Sequence, residues 1–150
     1  MAKSESVNVA GWFIGRDMVM RADMGKGRLK PEFLERSEAF SDRAVAVAEQ
    51  LDKDGRFRRI VEQVAAAGSA VGANIAEADE AMSDKDFRKC MTIAIKEMAE
   101  TRFWLRLVVR RAWLPAARLD PLLIELAEMK KIVGTILART APERRASVRG

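Results

Sequence analysis

Residues 68–107 read GSAVGANIAEADEAMSDKDFRKCMTIAIKEMAETRFWLRL, and this stretch decides the fold. Upstream and into it, Ile60, Val64, Gly68, Val71, Ile75 and Ala78 recur at steps of three or four, which marks one face of a helix. Ala65, Ser69, Gly72 and Ala76 make a second stripe of small side chains, where another backbone can come close. Ser83 reads as an N-cap, with Asp84 and Asp86 in the first turn, where the helix dipole favours negative charge. Asp86, three residues after the cap, comes near a capping-box pattern. Beyond it, Phe87, Met91, Ala94, Ile95, Met98, Leu105 and Val108 line one face of a second helix. Ile93, Phe103, Trp104 and Leu107 leave that face. One stripe in a small bundle cannot bury all of this, so the surplus reads as contact with other subunits.

The rest of the chain agrees. At 150 residues it is long enough for one domain with a real core. Hydrophobic residues make up 49% and only four are proline, with no sustained strand-like alternation, so the fold class is all-α. Pro31 suits the first turn of a helix whose stripe is Leu34, Phe40, Ala44, Val47, Ala48 and Leu51, ending at Asp54-Gly55. A second helix is expected from about Phe57 to Ala81 and a third from about Asp84 to Ala112, closed by Trp113-Leu114-Pro115. Asp120 reads as the cap of a fourth, with Pro121 at its first position and Leu122, Leu126, Met129, Val133 and Ile136 as its stripe. Short turns between four such helices imply an up-down-up-down bundle over 31–139. Residues 1–30, with scattered charges and no periodicity, read as an extended arm, in which Trp12, Phe13 and Ile14 form a small apolar cluster. Met18, Met20 and Met24 are each an alternative start. Residues 140–150 read as a frayed basic tail.

Charge is unevenly placed. Net charge is +5, yet residues 1–30 hold six Lys or Arg against three acids, and 139–150 hold Arg139, Arg144, Arg145 and Arg149 against Glu143. The body between is close to neutral. Basic ends point to an anionic partner, nucleic acid or an acidic protein surface, or serve only as solubilising tails. A lone cysteine, Cys90, flanked by Phe87, Met91 and Ile93, fits a packed thiol in a reducing cytoplasm. No apolar run approaches the roughly 18 residues that a membrane span needs.

The chemistry is constrained by what is missing. Histidine is absent, which removes His-based nucleophile activation and Glu-x-x-His metal pairs, and one cysteine makes a structural zinc site implausible. No glycine loop of the phosphate-binding type occurs. Glu77, Glu97 and Glu100 could gather into an acid/base or metal cluster, or simply be solvated, with Lys96 pairing Glu100 at i, i+4. Asn74 interrupts an apolar stretch and is expected to hydrogen-bond across a helix interface. Arg102, Arg106 and Arg110 fall on one helix face at i, i+4 steps, with Arg111 beside them and Phe103 and Trp104 between. Repeated in a symmetric oligomer, that row becomes a positive band able to track a phosphate backbone. The alternative is an ordinary solvated helix face, with Trp104 as core.

Val71-Gly72-Ala73-Asn74-Ile75-Ala76-Glu77-Ala78, Asp86-Phe87, Ile93-Ala94, Lys96-Glu97, Glu100-Thr101 and Trp104-Leu105 resemble the bacterial four-helix bundle family. That family includes proteins encoded in intervening sequences of large-subunit ribosomal RNA genes. Arg102-Phe103-Trp104-Leu105-Arg106-Leu107 and Ile132-Val133-Gly134 also look like the accessory variability determinant of diversity-generating retroelements, which partners a reverse transcriptase. The resemblance implies a homopentameric assembly of four-helix subunits without known catalytic activity. Ala66 and Ala67 depart from it, standing where relatives often have Arg and Ser.

These observations point to a non-enzymatic, cytoplasmic, oligomeric adaptor for RNA, DNA or a nucleic-acid enzyme, with no cofactor or metal. The expected contact residues are Arg102, Arg106, Arg110, Arg111, Arg139, Arg144 and Arg145. Gly68, Ser69, Gly72, Asn74, Glu77 and Trp104 are the expected structural or interface residues. A scaffold for a protein partner is the alternative.

Overall fold

Four stretches of helix formers, each broken by a proline, a glycine or a serine cap, become four helices in the computed structural model, which describes residues 7–9, 12–14 and 27–142. Helix α1 spans Pro31–Lys53, α2 Arg58–Asp79, α3 Asp84–Arg110 and α4 Ala116–Arg139. The connecting turns are too short to cross the bundle, so successive helices run antiparallel, and α4 returns to pack on α1. The fold is an all-α four-helix bundle. A pair of short antiparallel strands, β1 (Val7–Val9) and β2 (Trp12–Ile14), precedes it. The side chains of the Trp12-Phe13-Ile14 cluster and the remainder of the arm lie outside the described residues. The inner end of the arm is firmly attached. Leu29 is buried and its amide donates to Asp79 Oδ1 at 2.6 Å, while Arg28 donates to Ala81 O at 3.0 Å and pairs with Asp84 at 2.6 Å.

Helix ends follow local chemistry at three places. Ser83 Oγ accepts from the Asp86 amide at 3.1 Å and donates to Asp86 Oδ2 at 2.8 Å, which is the cap read from the sequence. At the end of α1 the Gly55 amide bonds Asp52 O and the Arg56 amide bonds Leu51 O, with Gly55 at φ +68°. The end of α3 repeats this pair of bonds, Ala112 to Val109 O and Trp113 to Val108 O. Here the left-handed position, φ +54°, is occupied by Ala112 rather than glycine.

The start of α4 differs from the expectation. The helix begins at Ala116, after Pro115, and Pro121 lies inside it rather than at its first position. A proline here removes one ladder bond and crowds the carbonyl four residues earlier. The added turn nevertheless buries Leu119 to 1% exposure beside Leu122 and Leu126, and that burial outweighs the Asp120-Pro121 signal.

Between α1 and α2 the backbones come close at Gly68 and Gly72. A Cβ on Gly68 would overlap the Ala44 Cβ, and one on Gly72 would lie 2.6 Å from Ser41 Oγ. Ser41 Oγ donates to Gly68 O at 2.8 Å and accepts from the Gly72 amide at 2.9 Å, so one hydroxyl bonds two backbone groups of α2 at the crossing. The two fully buried polar side chains are satisfied within their own helices: Ser37 Oγ donates to Leu34 O and Thr101 Oγ1 to Glu97 O. The core is filled by Phe33, Phe40, Phe87, Ile75, Met91, Met98, Leu105, Leu126 and Met129.

Candidate nucleic-acid interface

The 3.6-residue repeat of α3 turns its core stripe inward and carries Arg102, Arg106 and Arg110 onto one exposed edge, facing α4. Neighbouring members of the row are like charges at i, i+4, an arrangement that costs each pair about 0.2–0.5 kcal/mol. None of the three enters an ion pair among the described residues. The row therefore holds like charges that no ion pair among the described residues neutralises.

These arginines rim a groove of about 670 Å³ between α3 and α4. Its apolar lining includes Phe103, Leu107 and Leu123, and α4 contributes Lys130 and a single acid, Asp120. Lys130 was not legible in the sequence, because it belongs to α4 and joins the arginines only when the two helices pack. Phe103 is 58% exposed. Its ring meets Trp104 edge to face, centroids 4.9 Å apart, and Trp104 Nε1 donates to Glu100 at 3.2 Å.

The other expected contact residues are dispersed. Arg111 leaves the row and lies over the Trp113 ring at 5.9 Å, with Arg56 at 5.4 Å and Phe57 packed against the same indole. This aromatic and guanidinium cluster at the loop end of the bundle was not anticipated. Arg139 lies at the other end of α4, about 35 Å away along the helix. Arg144 and Arg145 lie outside the described residues.

The expected interface residues also separate. Gly68 and Gly72 are buried against α1 of the same chain. Ser69 is exposed and donates to Ala66 O of its own helix. The expectation for Asn74 is corrected: its Nδ2 donates to Ala70 O at 2.8 Å, one turn back in α2, and not across to another helix. A half-exposed amide reaches its own backbone more easily than a neighbouring helix. Glu77 is exposed and accepts from Cys90 Sγ at 4.0 Å. Burial, then Glu77 and Asp86, push the Cys90 thiol up, which favours the packed thiol over a thiolate.

Glu77, Glu97 and Glu100 do not form one cluster; no group of three or more such side chains among the described residues is placed to hold a metal. Burial, and then the neighbouring Glu100, hold the Glu97 carboxyl above its ordinary value of 4.5. The folded chain thus keeps this proton at pH values where the unfolded chain has lost it. The stability it contributes is present at low pH and falls as pH rises through the raised value. Glu97→Gln is expected to raise the melting temperature near pH 7, by relief of an i, i+3 repulsion of about 0.2–0.5 kcal/mol, and to have no effect near pH 3.5. Thermal unfolding at the two pH values checks both the sign and its disappearance.

Comparison with known proteins places this geometry in a family context. Residues 30–135 match the family model of the 23S rRNA-intervening sequence protein. No curated protein matches the chain. Among solved structures, it is similar to a protein of unknown function from the S23 ribosomal protein family of Bacteroides thetaiotaomicron VPI-5482. The two are 29% identical with a TM-score of 0.66, over 70% of this chain and 97% of that one. No helix among the described residues is long and apolar enough to cross a membrane.

Proposed function

This chain belongs to the 23S rRNA-intervening sequence protein family, and on that premise we propose that it is a non-enzymatic adaptor that binds nucleic acid through the arginine row of α3. One observation carries the reading. Arg102, Arg106 and Arg110 stand exposed along one edge, mutually repelling and without an acidic partner in the bundle. A phosphate backbone supplies regularly spaced anions to such a row and releases counterions on binding. The family name makes RNA the first polymer to test. In its finer form the adaptor is a cytoplasmic homo-oligomer, a pentamer by the resemblance noted above, that binds nucleic acid or a nucleic-acid enzyme such as a reverse transcriptase. The basic end residues Arg139, Arg144 and Arg145 then extend the electrostatic footprint.

The test is affinity for structured RNA across a salt series. Three phosphate contacts give a slope of about −2 to −3 in log affinity against log salt. Arg106→Gln is expected to weaken binding by about 5- to 10-fold for every sequence and to flatten the slope by about one contact. An unchanged slope overturns the role of the row. A scaffold for a protein partner is the second reading, favoured by the contiguous apolar lining of the groove at Phe103, Leu107 and Leu123; a captured partner insensitive to salt would support it.

A further inference from the structure

We propose that the groove between α3 and α4 takes single-stranded nucleic acid, with a base stacked on Phe103 and the flanking phosphates held by Arg102, Arg106 and Lys130. This rests on the reading that the arginine row binds nucleic acid, and it specifies which form.

Three features of the groove select a single strand. The first is concavity. A recess of about 670 Å³ between two helices admits one or a few nucleotides, whereas a duplex keeps its bases stacked and turned inward. The second is the ring. Phe103 is 58% exposed and lines the groove among the cations, so more than half of an apolar ring is left to solvent. Long side chains in helices lean toward the preceding turn, and there position 99 is a small alanine that also lines the groove. The edge-to-face contact with Trp104 holds the ring at 72° to the indole, which lowers the entropy lost when a base stacks on it. The third is the distribution of charge. Arg102, Arg106 and Arg110 approach from α3 and Lys130 from α4, against Asp120 alone. Cations on both walls with an aromatic between them match the grooves by which proteins hold single strands without reading their sequence.

The experiment uses the full chain and two labelled probes: a single-stranded oligouridylate of about 12 nucleotides and the same strand annealed to its oligoadenylate complement. The single strand is expected to bind about 10-fold tighter than the duplex. Phe103→Ala should lose about 10-fold in affinity for the single strand and nothing for the duplex, with the salt slope unchanged, while Phe103→Trp retains binding. Circular dichroism of Phe103→Ala verifies the bundle, which a half-exposed ring does not hold together. Equal affinity for the two probes overturns the inference, as does unchanged single-strand affinity in Phe103→Ala. If Phe103→Ala instead alters the oligomeric mass and leaves affinity alone, a second copy of the chain covers the groove and the inference falls. If Arg106→Gln weakens both probes while Phe103→Ala weakens neither, the nucleic-acid reading survives without stacking. Absence of binding to either probe removes both.

Discussion

Gly68→Ala is expected to destabilise the bundle by about 2 kcal/mol, while the same change at Gly134 stabilises it by about 1 kcal/mol. In the interior of a solvated helix, alanine is better than glycine by about 0.8–1.0 kcal/mol, because glycine loses more backbone freedom on folding. Gly134 obeys that rule. It lies within α4, and an added Cβ there meets nothing within 4 Å. At Gly68 the methyl would overlap the Ala44 Cβ of α1, and Ala44 is fully buried on a rigid helix, so the flexible end of a side chain is not what must give way. Helices α1 and α2 would have to separate, straining the Ser41 bonds to Gly68 O and the Gly72 amide. Overpacking of this kind costs about 1–3 kcal/mol or more and exceeds the propensity gain. For a chain of this length, 2 kcal/mol corresponds to a fall of roughly 4–8 °C in melting temperature. Adding Ala44→Gly to Gly68→Ala removes the facing methyl and should restore most of the loss. Additive effects in that double mutant would show that the crossing is not where the strain resides.

The two glycines also show where the sequence is legible and where it is not. Both sit at helical positions in apolar surroundings, and only the packing partner distinguishes them. The stripe of Ala65, Ser69, Gly72 and Ala76 anticipated a close backbone approach, which occurs at Gly72 and at Gly68 of the neighbouring stripe, against α1 of the same chain, while Ser69 faces solvent. Helix limits were readable wherever a local device decides them, as at Pro31, Gly55 and Ser83. At Asp120-Pro121 an equally clear local signal yields to the burial of Leu119, a tertiary effect with no signature in the six residues concerned. The arginine row was legible because i, i+4 spacing is a property of one helix. Lys130 and the Trp113 cluster required knowing which helices and turns meet.

Arg36→Leu is expected to cost about 2–3 kcal/mol, and the loss should fall on the attachment of α4. Arg36 on α1 spans Glu125 and Glu128 of α4, with Nη2 donating to Glu125 Oε2 at 2.9 Å. The three side chains are 12%, 21% and 23% exposed, so they are neither free surface ions nor fully desolvated. Removing the guanidinium leaves two half-buried carboxylates facing an apolar side chain, and such breakage costs about 3–5 kcal/mol when burial is complete, less when water can reach the site. Urea denaturation of Arg36→Leu measures the loss. Replacing all three residues with apolar ones of similar volume should recover most of it, since the attraction is then removed together with the desolvation it offsets; no recovery would show that the bidentate geometry itself is the stabiliser. This clamp lies on the side of α4 opposite the groove. Cations line the groove toward α3 and repel Lys130 rather than hold it. The C-terminal turn of α4 is secured by Arg88 of α3, whose Nη1 donates to Leu137 O at 2.6 Å and Thr140 Oγ1 at 2.8 Å. In the middle of α4, Arg36 adds a polar tie to α1 beside the buried stripe of Leu122, Leu126 and Met129. Arg36 thus ties to α1 the side of α4 that is turned away from the groove.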